Sequence, residues 1–179
     1  ADELGQLAQA FNAMAQEVKE EQAKLHRQAN FDALTGLPNR MMAFDRINLE
    51  IHRARRTGQR FAVLFIDLDN FKSVNDTLGH AFGDELLSAI GSRLQESLRE
   101  ADTVARLGGD EFLILVPDVV SEVEVERIAE RLLQSVSEPR DLNGRKVVIH
   151  CSVGIAIYPD NGESVEALMT ALESKDAIL

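Results

Sequence analysis

The chain has 179 residues, 45 % of them hydrophobic, with 30 Asp and Glu against 19 Lys and Arg for a formal net charge of −11. That length and apolar content support one domain with a sizeable core plus a short appendage, and exclude a disordered chain. The acidity excludes sequence-independent binding to a nucleic acid polymer, which Lys and Arg on phosphates drive. An anionic nucleotide would need a divalent cation or a local basic cluster. The single cysteine, Cys151, excludes a disulfide framework and a Cys-rich zinc site within one chain, and fits a reducing compartment. No apolar run approaches the roughly 20 residues of a transmembrane helix. No signal peptide is seen, and the chain starts in mid-pattern at Ala1, as a piece of a longer protein would.

Residues 4–28 read as one helix. Leu4, Phe11, Val18 and Leu25 recur every seven residues, with Leu7 and Met14 in the second seam position and Glu21 and Gln28 replacing apolar residues there later. This is a short coiled-coil seam or an amphipathic helix packed on its own domain. Residues 35–40 form a turn into a helix, with Pro38 at its first position. That helix runs to Arg56 and stops before Gly58. Residues 61–66 are continuously apolar and rich in β formers, so they read as a buried strand. A polar loop and short helix follow, through Gly79. Residues 84–98 are helical, with Leu87, Ile90, Leu94 and Leu98 on one face. Residues 103–107 and 112–116 flank a glycine pair and read as a hairpin. Residues 122–136 are helical. Residues 146–158 hold one or two strands, with Gly154 as a bulge, and a last helix begins near Glu163. The fold class is α+β, with helices covering a largely antiparallel sheet. No internal repeat is present.

Chemistry concentrates at two places. The strand 61–66 runs into Asp67-Leu68-Asp69, two carboxylates at a spacing that puts them on one side of an extended chain. Such oxygen ligands suit Mg²⁺, which takes one or two carboxylates plus substrate phosphates, although acids at strand ends are often only solvated loop residues. The hairpin carries Gly108-Gly109-Asp110-Glu111. Its glycines leave the backbone bare to a phosphate, although a tight turn with exposed acids is also common. There is no P-loop, H-E-x-x-H, G-x-S-x-G or G-x-G-x-x-G signature. Two acid-tipped loops in one α+β domain fit a palm-like polymerase arrangement and metal-dependent phosphoryl transfer.

Six segments between Asn30 and Ala167, taken in order, resemble the GGDEF family of diguanylate cyclases. They are residues 32–40 (DALTGLPNR), 66–72 (IDLDNFK), 75–80 (NDTLGH), Gly83-Asp84, 106–112 (RLGGDEF) and 152–156 (SVGIA). The resemblance implies a nucleotidyl-cyclase-like domain over 29–179. It implies condensation of two GTP into cyclic di-GMP with release of two pyrophosphates, using Mg²⁺ or Mn²⁺. It makes Asp67, the Leu68 carbonyl and Asp110 metal ligands. Glu111 becomes the acid near the attacking 3′-hydroxyl, as base or further ligand. Asn75 and Asp84 become guanine readers, although helix capping is the plainer role for either. Lys72 would lie near the phosphates, as would Gly108 and Gly109. Phe71 and His80 read as packing and loop-fixing residues, and Asp69 as support for the metal ligands.

The same resemblance makes Arg99 and Asp102, in R-x-x-D nine residues before Gly108, an inhibitory product site where Arg99 clamps guanine or phosphate. Arg127 or Arg131 of a neighbouring domain would assist. The pattern departs at the C-terminus: the family's tyrosine is missing near Met169, the phosphate-contacting lysine and arginine are out of register, and Lys175 cannot take that role. About the first 18 residues resemble the end of a HAMP signalling module. That implies a stalk over 1–28, a homodimer, and a cytoplasmic domain of an inner-membrane protein with an upstream sensor. The departing C-terminus supports an alternative, a module that binds GTP or cyclic di-GMP without turnover.

Overall fold

The computed structural model describes residues 2–174. Helix α1 (Asp2–Asn30) has acids in its first turn and Arg27 in its last, which complements the helix dipole. It buries no residue. Leu4, Leu7, Phe11, Met14, Val18 and Leu25 are all exposed, Phe11 to 70 %. The heptad stripe therefore does not pack on its own domain.

The chain then reverses through residues 31–38. Gly36 N donates to Asp32 O and Asp32 N to Leu37 O, while Phe31 and Pro38 form an isolated bridge. Helix α2 (Arg40–Thr57) begins at Asn39, whose Oδ1 accepts from Met42 N at 3.1 Å, and ends at Gly58 with φ +73°. Pro38 is thus not the first helical residue. It is held in the bridge and its carbonyl accepts from Arg106 N, so Asn39 supplies the cap one residue later.

The remaining elements are β1 (Arg60–Leu68), α3 (Phe71–Leu78), α4 (His80–Glu96), β2 (Thr103–Gly108), β3 (Glu111–Val119), α5 (Glu122–Ser137), β4 (Arg140–Leu142), β5 (Arg145–Val147), β6 (Cys151–Tyr158) and α6 (Val165–Glu173). The main sheet has the order β2-β3-β1-β6, and every pair is antiparallel. Side chains alternate across it. Ala62, Leu64, Ile66 and Leu68 face the core under α4 and α5, and Phe61 and Val63 face a second core under α2 and α6. The layers are helix, sheet, helix.

Two further sequence expectations change. Gly154 is no bulge: β6 pairs with β1 in unbroken register from Phe61–Tyr158 to Leu68–Cys151, with Gly154 opposite Phe65. The irregularity lies instead near Asp118, at φ +55°, where β3 shifts against β1. Helix α4 starts at His80, four residues before the expected start, because Phe82 and Gly83 are already buried in its first turn.

Candidate active site

The strand order brings the acids together. In β1, Asp67 stands opposite Glu111 of β3 and Ser152 of β6, and residues directly opposite share a face of the sheet. Leu68 N donates to Asp110 O at 3.2 Å, which draws the hairpin end onto the end of β1. Partial burial, then the nearby carboxylates of Asp110, Glu111 and Asp69, push the Asp67 carboxyl up to about 6. Asp69 is turned aside: Oδ1 accepts from Ser152 Oγ at 2.9 Å, and its N donates to His150 O. It braces the end of β1 against β6.

This donor set fits a divalent cation. Like charges crowd here at a cost that a cation between them would remove. Asp67, Asp110 and the Leu68 carbonyl are the oxygens that would hold it, with Glu111 beside them. No group of three or more His, Cys, Asp or Glu side chains among the described residues is already arranged as a metal cage. A pair of carboxylates is the small protein share that Mg²⁺ takes when phosphates complete its shell.

The hairpin tip is clamped by a residue whose role the sequence did not disclose. Gly108 and Gly109 adopt φ +140° and +51°, backbone that favours glycine. Arg106 Nε and Nη2 both donate to Gly109 O, at 3.0 and 2.8 Å, and Nη1 donates to Asp32 Oδ1 at 2.9 Å. Asp32 also accepts from Thr35 N and Oγ1, at 2.9 and 2.7 Å. Burial alone would raise the Asp32 carboxyl, but the Thr35 hydrogen bonds and the Arg106 charge outweigh it and hold the group below its usual range. The visible signals were the D-x-x-T spacing and an arginine two residues before the glycine pair.

On the α3–α4 side, Asn75 Oδ1 is buried without a hydrogen-bond partner. A Cβ at Gly83 would lie 1.8 Å from that oxygen, so Gly83 makes room for it. Asp84 follows and is exposed. Neither residue caps a helix: Asn75 lies inside α3, Asp84 inside α4, and those caps are Asn70 and Gly79. Lys72 is exposed in the first turn of α3, and Phe71 is buried. His80 opens α4.

Arg99 and Asp102 sit at the opposite end of β2 from the glycine pair, about 20 Å away for six extended residues. They are neighbours: Arg99 N donates to Asp102 Oδ2 at 2.9 Å, and Arg99 Nη2 lies 3.6 Å from Asp102 Oδ1. Arg127 and Arg131 are exposed on α5. The described part of α6 is capped by Ser164, whose hydroxyl accepts from Ala167 N. Lys175, and with it the end of the departing segment, lies outside the described residues.

An antiparallel sheet flanked by helices, with acids converging from two adjacent strands, defines a nucleotidyl-cyclase-like domain. The sequence model described as "Diguanylate cyclase, GGDEF domain" matches residues 29–175, and the chain belongs to that family. It is 41 % identical to the diguanylate cyclase TpbB of Pseudomonas aeruginosa over 175 residues, covering 93 % of this chain and 40 % of that protein. It is 45 % identical over 138 residues to the bifunctional diguanylate cyclase/cyclic di-GMP phosphodiesterase MucR of the same organism, covering 77 % of this chain and 20 % of MucR. It is 41 % identical over 159 residues to the cyclic di-GMP phosphodiesterase NbdA, also from P. aeruginosa, covering 88 % of this chain and 20 % of NbdA. The chain thus spans a fifth to two fifths of these relatives. Among solved structures, the coiled coil and GGDEF domain of DgcB from Caulobacter crescentus, in complex with c-di-GMP, aligns with a TM-score of 0.83 at 25 % identity, covering 94 % of this chain and 89 % of that one. The GGDEF domain of TpbB aligns at 0.77 with 41 % identity, covering 80 % and 84 %.

Proposed function

We propose that the chain is the catalytic and regulatory part of a diguanylate cyclase that condenses two GTP into cyclic di-GMP. The carrying observation is the junction of Asp67, Asp110 and Glu111 at one end of the sheet, with the hydrogen-bond-free Asn75 oxygen on α3. Asn75 Oδ1 accepts from a guanine N–H and Asp84 takes a second, which separates guanine from adenine. The bare backbone of Gly108 and Gly109 lets the phosphates approach, and Lys72 supplies positive charge to them. A bound Mg²⁺ or Mn²⁺, held by Asp67, Asp110 and the Leu68 carbonyl, would neutralise the triphosphate. Glu111 accepts the proton of the 3′-hydroxyl. The 3′ oxygen bonds to the α-phosphorus of the second GTP, the α–β anhydride bond breaks and pyrophosphate leaves; the same exchange in the other direction closes the ring.

Each chain holds one GTP, so two chains must face each other. The exposed heptads of α1 supply that pairing as a parallel coiled coil, which buries Phe11, Met14 and Val18 against their copies. Sliding or rotation of α1 sets the separation of the half-sites. Residues 1–28 act as the end of a HAMP module and its signalling stalk, in a parent with an upstream sensor at the inner membrane. No helix of the described residues is long and apolar enough to cross a membrane. Cyclic di-GMP at Arg99 and Asp102 restrains the domains and slows turnover.

A second reading is a domain that binds nucleotide and regulates a neighbour without turnover. The match to NbdA, named as a phosphodiesterase, favours it. Incubating the dimeric chain with GTP and Mg²⁺ separates the two: cyclic di-GMP supports the cyclase, and nucleotide binding without product supports the module.

A further inference from the structure

A cavity of about 340 Å³ opens where β2 begins. Arg99 and Asp102 line it from the turn after α4, Thr103 from the strand, Phe31 and Pro38 from the reversal after α1, and Arg46 from α2. Arg46 belongs to none of the motifs that mark the family.

Asp102 shows what the cavity lacks. Its side chain is only 1 % exposed, and Oδ2 is occupied by Arg99 N. Oδ1 is buried with no hydrogen-bond partner. Arg99 Nη2 faces that oxygen from 3.6 Å, beyond hydrogen-bond distance, and a buried carboxylate oxygen without a hydrogen bond is costly, so the site is left open to a donor from outside. Arg46 is the opposite charge on the same cavity. Its Nη1 donates to Thr103 Oγ1 at 3.2 Å, which steadies the guanidinium. The ion pair of Asp102 is with Arg99, and among the described residues Arg46 forms none with it. Arg46 and Asp102 therefore share one space without closing on each other. A ligand that fits between them carries an N–H donor at one end and an anionic acceptor at the other. A volume near the lower bound for ligand pockets holds one base with its phosphate, rather than a whole dinucleotide.

We infer that Arg46 is a further ligand of the R-x-x-D cavity, taking a phosphate oxygen of a guanine nucleotide whose base donates to Asp102. This rests on the reading of Arg99 and Asp102 as the product site. It adds a second guanidinium, from α2 of the same chain, and so ties product binding to the helix that follows the stalk.

The test is calorimetric titration of the whole chain with cyclic di-GMP. Losing one charge-assisted contact in Arg46→Ala should weaken binding about tenfold or more and flatten its salt dependence. Arg46→Lys should recover part of the loss, since it keeps the charge without the fork. Thr103→Val should stay within about threefold of the wild type if Arg46 acts on the ligand rather than as a brace. Wild-type affinity in Arg46→Ala beside lost binding in Arg99→Ala would overturn the inference and leave the product site standing. So would a Thr103→Val variant as weak as Arg46→Ala. Wild-type affinity in both Arg99→Ala and Arg46→Ala would remove the product site itself.

Discussion

Arg106 Nη1 lies 2.9 Å from Asp32 Oδ1, joining two residues 74 positions apart. The same guanidinium holds Gly109 O, so one side chain ties the reversal after the stalk to the hairpin that carries Asp110 and Glu111. Asp32 thereby sits between the end of α1 and the acid end of the sheet, joined to the latter through Arg106.

Both partners are mostly buried, at 13 % and 18 % exposure. Asp32→Asn should therefore cost about 1–3 kcal/mol of stability, as expected when one partner of a shielded pair is removed. Urea unfolding at pH 7 measures it. Turnover should fall further than the stability loss explains, because the Gly109 turn loosens.

The Asp32 carboxyl is held below its usual range by Thr35 and Arg106. The unfolded chain therefore binds its proton more readily. The stability contribution is present above the unfolded value, about 3.9, and is lost as pH falls through the lower folded value. Unfolding free energy should drop from pH 5 toward pH 2, and Asp32→Asn should lack that component. Equal acid slopes in the two proteins would contradict it.

Gly83→Ala should damage substrate binding more than folding. The added Cβ would meet Asn75 Oδ1 at 1.8 Å, and that oxygen is the end of a side chain able to rotate away. Displacing one guanine hydrogen bond should raise the KM for GTP about tenfold, with a melting temperature close to the wild type. A steady-state KM and a thermal scan check both halves.

Adding Mg²⁺ should raise the melting temperature of the wild type, since a cation that binds only the folded acid cluster stabilises it by mass action. Asp67→Asn should lose most of that increment. An equal shift in both proteins would place the cation elsewhere.

Much of this was legible in the sequence. The heptads gave α1, the apolar run 61–66 gave β1, and the glycine pair gave the hairpin, because each is a local pattern. The expected one or two strands over 146–158 take in most of β5 and all of β6, but β4 and its hairpin with β5 were not recognised: the two strands have three residues each and carry Arg140, Asp141, Arg145 and Lys146, so no apolar alternation appears. Its turn signal, Asn143-Gly144, was present, and both residues adopt positive φ. Asn75 and Asp84 looked like caps because both are cap-forming residue types, and only their places inside α3 and α4 remove that role. The roles of Arg106 and Arg46 escaped notice because their partners are distant in the chain. No periodicity relates Arg106 to Asp32 or Arg46 to Thr103.

The most direct measurement is product formation from GTP and Mg²⁺ by the dimeric chain, followed by chromatography, beside Glu111→Gln. The account predicts cyclic di-GMP and two equivalents of pyrophosphate from the wild type, and a loss of at least about a hundredfold in the variant with GTP binding retained. A wild-type dimer that binds GTP and yields no cyclic di-GMP would contradict it.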